Sequence, residues 1–419
     1  MRSPKEADAG FSAILADSIV FPGTARSHPL FSLPNLSMSD NSYSLFGLIC
    51  SPVLSQTRAA LLHEKTRHYH DWSAVPKIAA RQQVGPLLYW HLKEYGIAYP
   101  QETRRALAAM YARQKAIAGA QAEALAEIIK TFTAADIDSI VIKGGALAHI
   151  IYAEPGLRPK EDLDILVRPQ QAMAAHALLL ELGFHAPLPS SRFDLLQHHF
   201  PLAQRARGNI TVCVELHTTA FNLLMRDKLS MDNMVQPLRA YAVAGQTIQT
   251  FNPVQMLWMQ YLGLRKLAEP LRHIHLADLV GMAEGLIAEI DWGKLRHDYP
   301  DLWNAYEAIH AYTPLNQAAC DRLELSANAR PEMAAIGEDF VGWPRHGFSD
   351  MTNTRDKFRL LGCSLAPPEW WARLVYGVRT NRGMGNILFY YHPAAFVQQG
   401  LRRIYLGPVN PYGFFKGSV

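Results

Sequence analysis

The spacing of apolar residues divides the chain into a helical stretch, a mixed stretch and a second helical stretch. Between 104 and 132, Leu107, Met110, Tyr111, Ile117, Leu125, Ile128 and Phe132 recur at spacings of three, four and their multiples. Alanine, the best helix former, fills much of the remainder, which predicts one long helix or two abutting ones. At about 137 the period changes. Ile137 to Ile142 is β-branched and predicts a strand, broken at Gly144 and Gly145 and followed by a short helix over Ala146 to Tyr152. Leu163 to Val167 predicts a second strand, and Ala172 to Leu182 a helix opened near Pro169 and ended by Gly183. Segments 198–205 and 210–217 predict a hairpin turning at Arg207-Gly208-Asn209. Helical periods return near Met256 and over 271–289.

These patterns place a loosely ordered, Ser-, Pro- and Asn-rich extension at 1–45 and an N-terminal helical region at 46–132. An α/β core follows at 133–248, and a mainly helical C-terminal region occupies 249–419. With 49% hydrophobic and 19% charged residues, such a chain buries a sizeable core. Lys plus Arg number 41 against 37 for Asp plus Glu, a net charge of +4 that demands no nucleic-acid partner. The four cysteines are far apart and form no CxxC pair, which excludes a zinc ribbon and favours a reducing, cytoplasmic setting. No apolar run approaches the ~18 residues of a membrane span.

The chemistry concentrates around Asp162-Leu163-Asp164-Ile165-Leu166-Val167. On a strand, Asp162 and Asp164 point to one side while Leu163 and Ile165 face the other. Two carboxylates on one face repel unless a cation lies between them, and Mg²⁺ (or Mn²⁺) is the hard, oxygen-seeking candidate. The run Ile210 to His217 alternates cleanly, with Ile210, Val212, Val214 and Leu216 on one face and Thr211, Cys213, Glu215 and His217 on the other. Glu215 is thereby a third carboxylate directed at a cleft, and His217 shares its face as a supporting or acceptor-side group. Upstream, Lys143, Gly144 and Gly145 join a strand to a helix. Glycine allows close approach of a phosphate, and a helix N-terminus offers unpaired N–H groups to it. Lys143 adds a point charge, and Arg158 a planar fork suited to phosphate.

Other histidines fit no metal motif. His63 and His68 lie five apart and do not share a helical face, and His273 and His275 lie two apart on a predicted helix and point to different sides. Both pairs read as structural or surface residues.

The run KGGALAHIIYAEPGLRPKEDLDILV, followed by VELH, resembles the uncharacterised bacterial nucleotidyltransferases of the polymerase-beta-like superfamily. The matching positions are Lys143, Gly144, Leu147, Tyr152, Arg158, Asp162, Asp164, Leu166, Val167, Glu215, Leu216 and His217. At the turn, Gly145 and Ala146 stand where the superfamily commonly has Gly-Ser. The resemblance implies an α+β fold: a small mixed nucleotidyltransferase sheet flanked by helices, with helical N-terminal and C-terminal regions. It also implies a nucleoside triphosphate and two Mg²⁺ ions, bound by Asp162 and Asp164 with Glu215 as third acid. The expected activity is transfer of a nucleoside monophosphate to a small-molecule, glycan or peptide acceptor. Transfer of a sugar from a nucleotide sugar, or nucleotide or partner binding without catalysis, are the alternatives.

Overall fold

In the computed structural model, the described residues are 44–186, 200, 202–220, 231, 237–266 and 272–325, with isolated positions beyond. The 1–43 part of the expected extension, positions 198, 199 and 201 of the expected 198–205 strand, and most of the C-terminal region lie outside them.

Among the described residues, the helices α1 (Leu45–Leu48), α2 (Gln56–Arg67), α3 (Val75–Arg81) and α4 (Gly85–Glu94) precede the long α5 (Gln101–Ala134). The 104–132 period is thus one uninterrupted helix. Its Leu107 packs into the core of the N-terminal helices, while Leu125, Ile128, Ile129 and Phe132 pack on the sheet. One helix therefore serves two cores, which is why its apolar stripe persists for so many turns.

The sheet contains β1 (Ser139–Ile142), β2 (Leu163–Val167), β3 (Ala203–Arg207) and β4 (Ile210–His217) in the order β1-β2-β4-β3. β2 runs antiparallel to β1 and parallel to β4, and β3 and β4 form the expected antiparallel hairpin with Gly208 at φ 59°. The sheet is therefore mixed, as expected of an α+β fold of this type. α6 (Lys143–Ile150) follows β1, and α7 (Ala172–Glu181) follows β2, with Gly183 at φ 82° just past its cap. Val141, Leu163, Ile165, Val167, Val212 and Val214 lie against α5 and α7. The opposite face, with Ile140, Ile142 and Leu166, packs on the C-terminal helices α8 (Pro253–Lys266), α9 (His273–Gly285), α10 (Trp292–Asp298), α11 (Pro300–Tyr312) and α12 (Gln317–Arg322). Buried apolar positions on both faces explain why β1 reads as an apolar run and why β2 is apolar except at Asp164.

Several elements differ from expectation. Gly144 and Gly145 do not interrupt the strand-to-helix passage: the helix begins at Lys143, before them, and ends at Ile150 rather than Tyr152. A second hairpin, β5 (Arg239–Val243) and β6 (Gln246–Thr250), turns at Ala244 and Gly245, both at positive φ. The helix expected over 271–289 stops at Gly285. β2 begins at Leu163, so Asp162 stands just before the strand rather than within it. Among the described residues, no helix is long and apolar enough to cross a membrane.

Candidate active site

The site is built where β1 ends, β2 begins and β4 approaches its last residue. The register pairs Ile142 with Asp164, Asp164 with Glu215, and Leu166 with His217. Directly paired residues point to the same side of a sheet, so Asp164, Glu215 and His217 share one face. On the opposite face, Val212 and Val214 are fully buried. The alternation in β4 is thus what aims its acid: each apolar residue anchored in the core turns the next polar one outward.

One oxygen of Asp164 is the hub. Lys143 Nζ donates to its Oδ1 at 2.6 Å, and His217 Nε2 faces the same Oδ1 at 2.8 Å. His217 Nε2 also lies 3.3 Å from Glu215 Oε2. Asp164 and His217 are buried, whereas Lys143 and Glu215 retain access to solvent at 39% and 23% of their side-chain surface. Ligand atoms of Asp164, Glu215 and His217 all come within 4.8 Å of one another. Asp162 stands beside them, with its charge felt by Lys143 and Cys213.

The electrostatics follow from crowding three acids in a poorly solvated corner. Burial, then the neighbouring Asp164 and Glu215 charges, push Asp162 up to about 8. Burial acts on Asp164 in the same sense, but the Lys143 ammonium and the His217 hydrogen bond outweigh it and hold this carboxyl below the ordinary range. For His217, burial and Lys143 press the imidazolium down, yet Glu215 and Asp164 prevail and raise it to about 9. Lys143 is likewise raised, its acids overcoming its desolvation. Its backbone sits at φ 52°, a left-handed conformation that costs a non-glycine residue roughly 1–3 kcal/mol. Such strain persists where the surroundings over-determine a position, here the ammonium that meets Asp164.

Arg158 is placed differently from expectation. It is buried, and its guanidinium is committed to Asp278 of α9: Nη2 donates to Oδ2 at 2.6 Å and Nε to Oδ1 at 3.0 Å. Tyr152 Oη donates to the same Oδ1 at 2.8 Å, and Gln260 Nε2 to Oδ2 at 2.7 Å. The planar fork thus grips a carboxylate of the protein itself, and it does so across the top of Gly144. A Cβ at Gly144 would overlap Arg158 Nη1, and one at Gly145 would come 2.8 Å from Val141 Cγ1. The close approach that the two glycines permit is therefore made by the protein's own side chains.

Asp278 and Gln260 are the residues that sequence reasoning missed, and Tyr152, one of the matching positions, was given no role by it. A clue existed in α9, His273-Ile274-His275-Leu276-Ala277-Asp278-Leu279-Val280, where one acid interrupts an apolar run and must be paired if buried. His273 is itself a core residue, fully buried, with Nε2 against Tyr312 Oη. Sequence also gave no reason to notice Lys160, two residues before Asp162. Its side chain is buried and its Nζ has no hydrogen-bond partner. Burial first, and then Arg158, lower its pKa to about 7, while Asp162 acts in the opposite sense.

Residues 68–312 match the uncharacterised nucleotidyltransferase family, and the chain belongs to it. Among solved structures, the chain is similar to the antibiotic-resistance factor ANT(2'')-Ia, at 14% identity and a TM-score of 0.31, covering 46% of this chain and 98% of that one. It is also similar to an antigenic nucleotidyltransferase-like protein from Paracoccidioides brasiliensis, at 16% identity and a TM-score of 0.30, covering 49% and 95%. No curated protein matches.

Proposed function

We propose that the protein transfers a nucleoside monophosphate from a nucleoside triphosphate to an acceptor hydroxyl or phosphate, with Mg²⁺ or Mn²⁺ held by Asp162, Asp164 and Glu215. The observation that carries this reading is that the Asp164 and Glu215 carboxylates come together at adjoining strand ends, their residues directly paired, with Asp162 close enough to feel both charges. A divalent ion fits this donor set. Burial, then the Asp164 and Glu215 charges, drive Asp162 to about 8, and carboxylate oxygens are the ligands that Mg²⁺ and Mn²⁺ take. When bound, the ion supplies stabilisation of charge on the phosphate oxygens.

The chain's own residues do the rest. His217 fixes the Asp164 carboxylate through its 2.8 Å contact and sits beside Glu215. Lys143, being part-exposed, is placed to exchange Asp164 for a triphosphate oxygen when another cation takes over that carboxylate. Arg158, held by Asp278, packs over the turn that carries Lys143 and so positions it rather than touching substrate. The acceptor oxygen attacks the α-phosphorus, the bond from that phosphorus to the bridging oxygen breaks, and pyrophosphate leaves. Part-exposed Glu215 is placed to take the acceptor's proton. The acceptor is a small molecule, a glycan or a peptide.

Incubation with each triphosphate, Mg²⁺ and candidate acceptors, read by pyrophosphate release and product mass, tests this. The expected result is pyrophosphate with an acceptor heavier by one nucleotidyl group, lost in Asp162→Asn plus Asp164→Asn. Consumption of a nucleotide sugar with no pyrophosphate from any triphosphate would favour the sugar-transfer reading instead.

A further inference from the structure

His217 faces two acids at once through a single atom. Its Nε2 stands 2.8 Å from Asp164 Oδ1 and 3.3 Å from Glu215 Oε2. One N–H serves one acceptor well, so a hydrogen bond to Asp164 accounts for the first distance and leaves the second unexplained. The spacing has another meaning. Donors held ~2.1 Å from one divalent ion lie about 3.0 Å apart at a right angle and about 3.4 Å apart at a tetrahedral one. The distances from Nε2 to the two oxygens lie close to those values, and ligand atoms of all three residues fall within 4.8 Å of one another.

The strands hold these donors in place. β2 and β4 pair Asp164 with Glu215 and Leu166 with His217, and the buried Val214 and Leu216 fix which way Glu215 and His217 point. A site on paired strands is preorganised, as ion binding requires. Access is from the side of Glu215 and Lys143, which stay part-exposed while Asp164 and His217 are buried. Lys143 Nζ meets the same Asp164 Oδ1 at 2.6 Å, so that oxygen already draws positive charge. Asp162, just before β2, is not one of the three converging donors.

A nitrogen among the donors bears on which metal is taken. Mg²⁺ takes oxygen ligands, whereas imidazole suits first-row transition ions, whose affinity rises from Mn²⁺ to Co²⁺ and beyond. We infer that His217 is a metal ligand, which with Asp164 and Glu215 forms a one-nitrogen, two-carboxylate centre selecting first-row divalent ions over Mg²⁺. This deepens the nucleotidyl-transfer reading and rests on it for what the ion does, not for how the ion is held. On binding, the ion takes the place of the Nε2 proton, which passes to solvent.

The test is pulsed electron paramagnetic resonance of the full chain loaded with Mn²⁺ alone, prepared with ordinary and with heavy-nitrogen histidine. Calorimetric titration of wild type and His217→Gln with Mg²⁺, Mn²⁺ and Co²⁺ accompanies it. A directly bound imidazole nitrogen couples to the Mn²⁺ electron spin, and the coupling changes with the isotope. The wild type should show that coupling, and His217→Gln should lose it. Glutamine keeps an oxygen for the ion and an amide for Asp164, so a histidine that only held Asp164 would leave all three ions weakened alike or not at all. A ligating His217 instead carries the preference: Co²⁺ affinity should fall roughly ten-fold or more in His217→Gln, and Mg²⁺ affinity by about three-fold or less. Mn²⁺ bound by the wild type without nitrogen coupling overturns the inference, whether or not the variant folds. So does coupling that persists in His217→Gln, an equal change for all three ions, or no binding of any ion by the wild type. Nitrogen coupling in a protein that releases no pyrophosphate from any triphosphate would refute the proposed function alone. Pyrophosphate release by a protein whose bound Mn²⁺ shows no nitrogen coupling would refute this inference alone.

Discussion

Lys143 is held between two roles by its geometry. Its ammonium neutralises Asp164 at 2.6 Å, yet 39% of its side chain faces solvent, so the ion pair is not sealed. Exposed and half-exposed pairs contribute little to stability, whereas a charge-assisted contact to phosphate is worth ~1.5–3 kcal/mol. Lys143→Ala should therefore weaken Mg²⁺-nucleotide binding roughly ten- to a hundred-fold, with a small change in melting temperature. The reverse pattern, a large fall in melting temperature with affinity preserved, would give Lys143 a purely structural role. The acids answer a complementary test. Removing two repelling charges should leave the fold of Asp162→Asn plus Asp164→Asn intact, while the mutual strengthening of metal and triphosphate binding disappears. Equal coupling in mutant and wild type, measured by titrating each ligand with and without the other, would remove the acids from the site. Asp164 and Glu215 were legible because period-two alternation fixes which way a strand residue points. Asp278 was not, because its partner Arg158 lies 120 residues away and nothing local announces the pairing.

At the scale of elements, the turn from β1 into α6 carries most of the design. Gly144 lies under the Arg158 guanidinium, which is gripped by Asp278, a carboxylate fixed in turn by Tyr152 and Gln260. A methyl group there has to displace either the guanidinium or the first turn of α6. Gly144→Ala should consequently cost a few kcal/mol, within the range for breaking a buried charge network, and should show as a lower melting temperature together with weaker nucleotide binding. If the variant melts like the wild type, Arg158 moves freely and the buttress is not one. The sequence suggested that two adjacent glycines end regular structure, which is their usual effect. Here tertiary crowding demands them inside a helix, and a demand of that kind has no local signature. The hairpin of β5 and β6 was missed for a related reason. Its turn uses Ala244 at φ 46° before Gly245, and alanine carries none of the turn preference of Asn or Asp. The long α5, by contrast, was readable from apolar spacing alone, since it needs no partner to declare its period.

At the scale of the whole molecule, the first helices of the described chain pack against α9 and bury polar groups in doing so. Arg58 of α2 is fully buried against Glu284 of α9, Nη2 donating to Oε1 at 3.0 Å, and the Asn316 amide donates to the same Oε1 at 2.7 Å. Histidines are trapped by the same closure. His91 of α4 holds the Ser51 carbonyl through Nε2 at 2.8 Å, and burial depresses its pKa to about 4. Burial does the same to His273 and His275 of α9, each to about 4, and burial followed by Lys160 brings His149 of α6 to about 4. An unfolded chain restores all four to about 6.5. Between those values the unfolded state binds more protons than the folded one, so stability rises with pH across the interval. The neutral histidines' contribution is complete above about 6.5 and is lost as pH falls towards 4. Calorimetric melting of the metal-free protein should accordingly show the melting temperature dropping steeply from pH 7 to pH 4.5. His91→Gln, which keeps a donor for the Ser51 carbonyl but cannot titrate, should flatten that limb by its share while leaving the value at pH 7 nearly unchanged. A limb equally steep in His91→Gln would assign the acid sensitivity to other groups and leave His91 protonated in its native position.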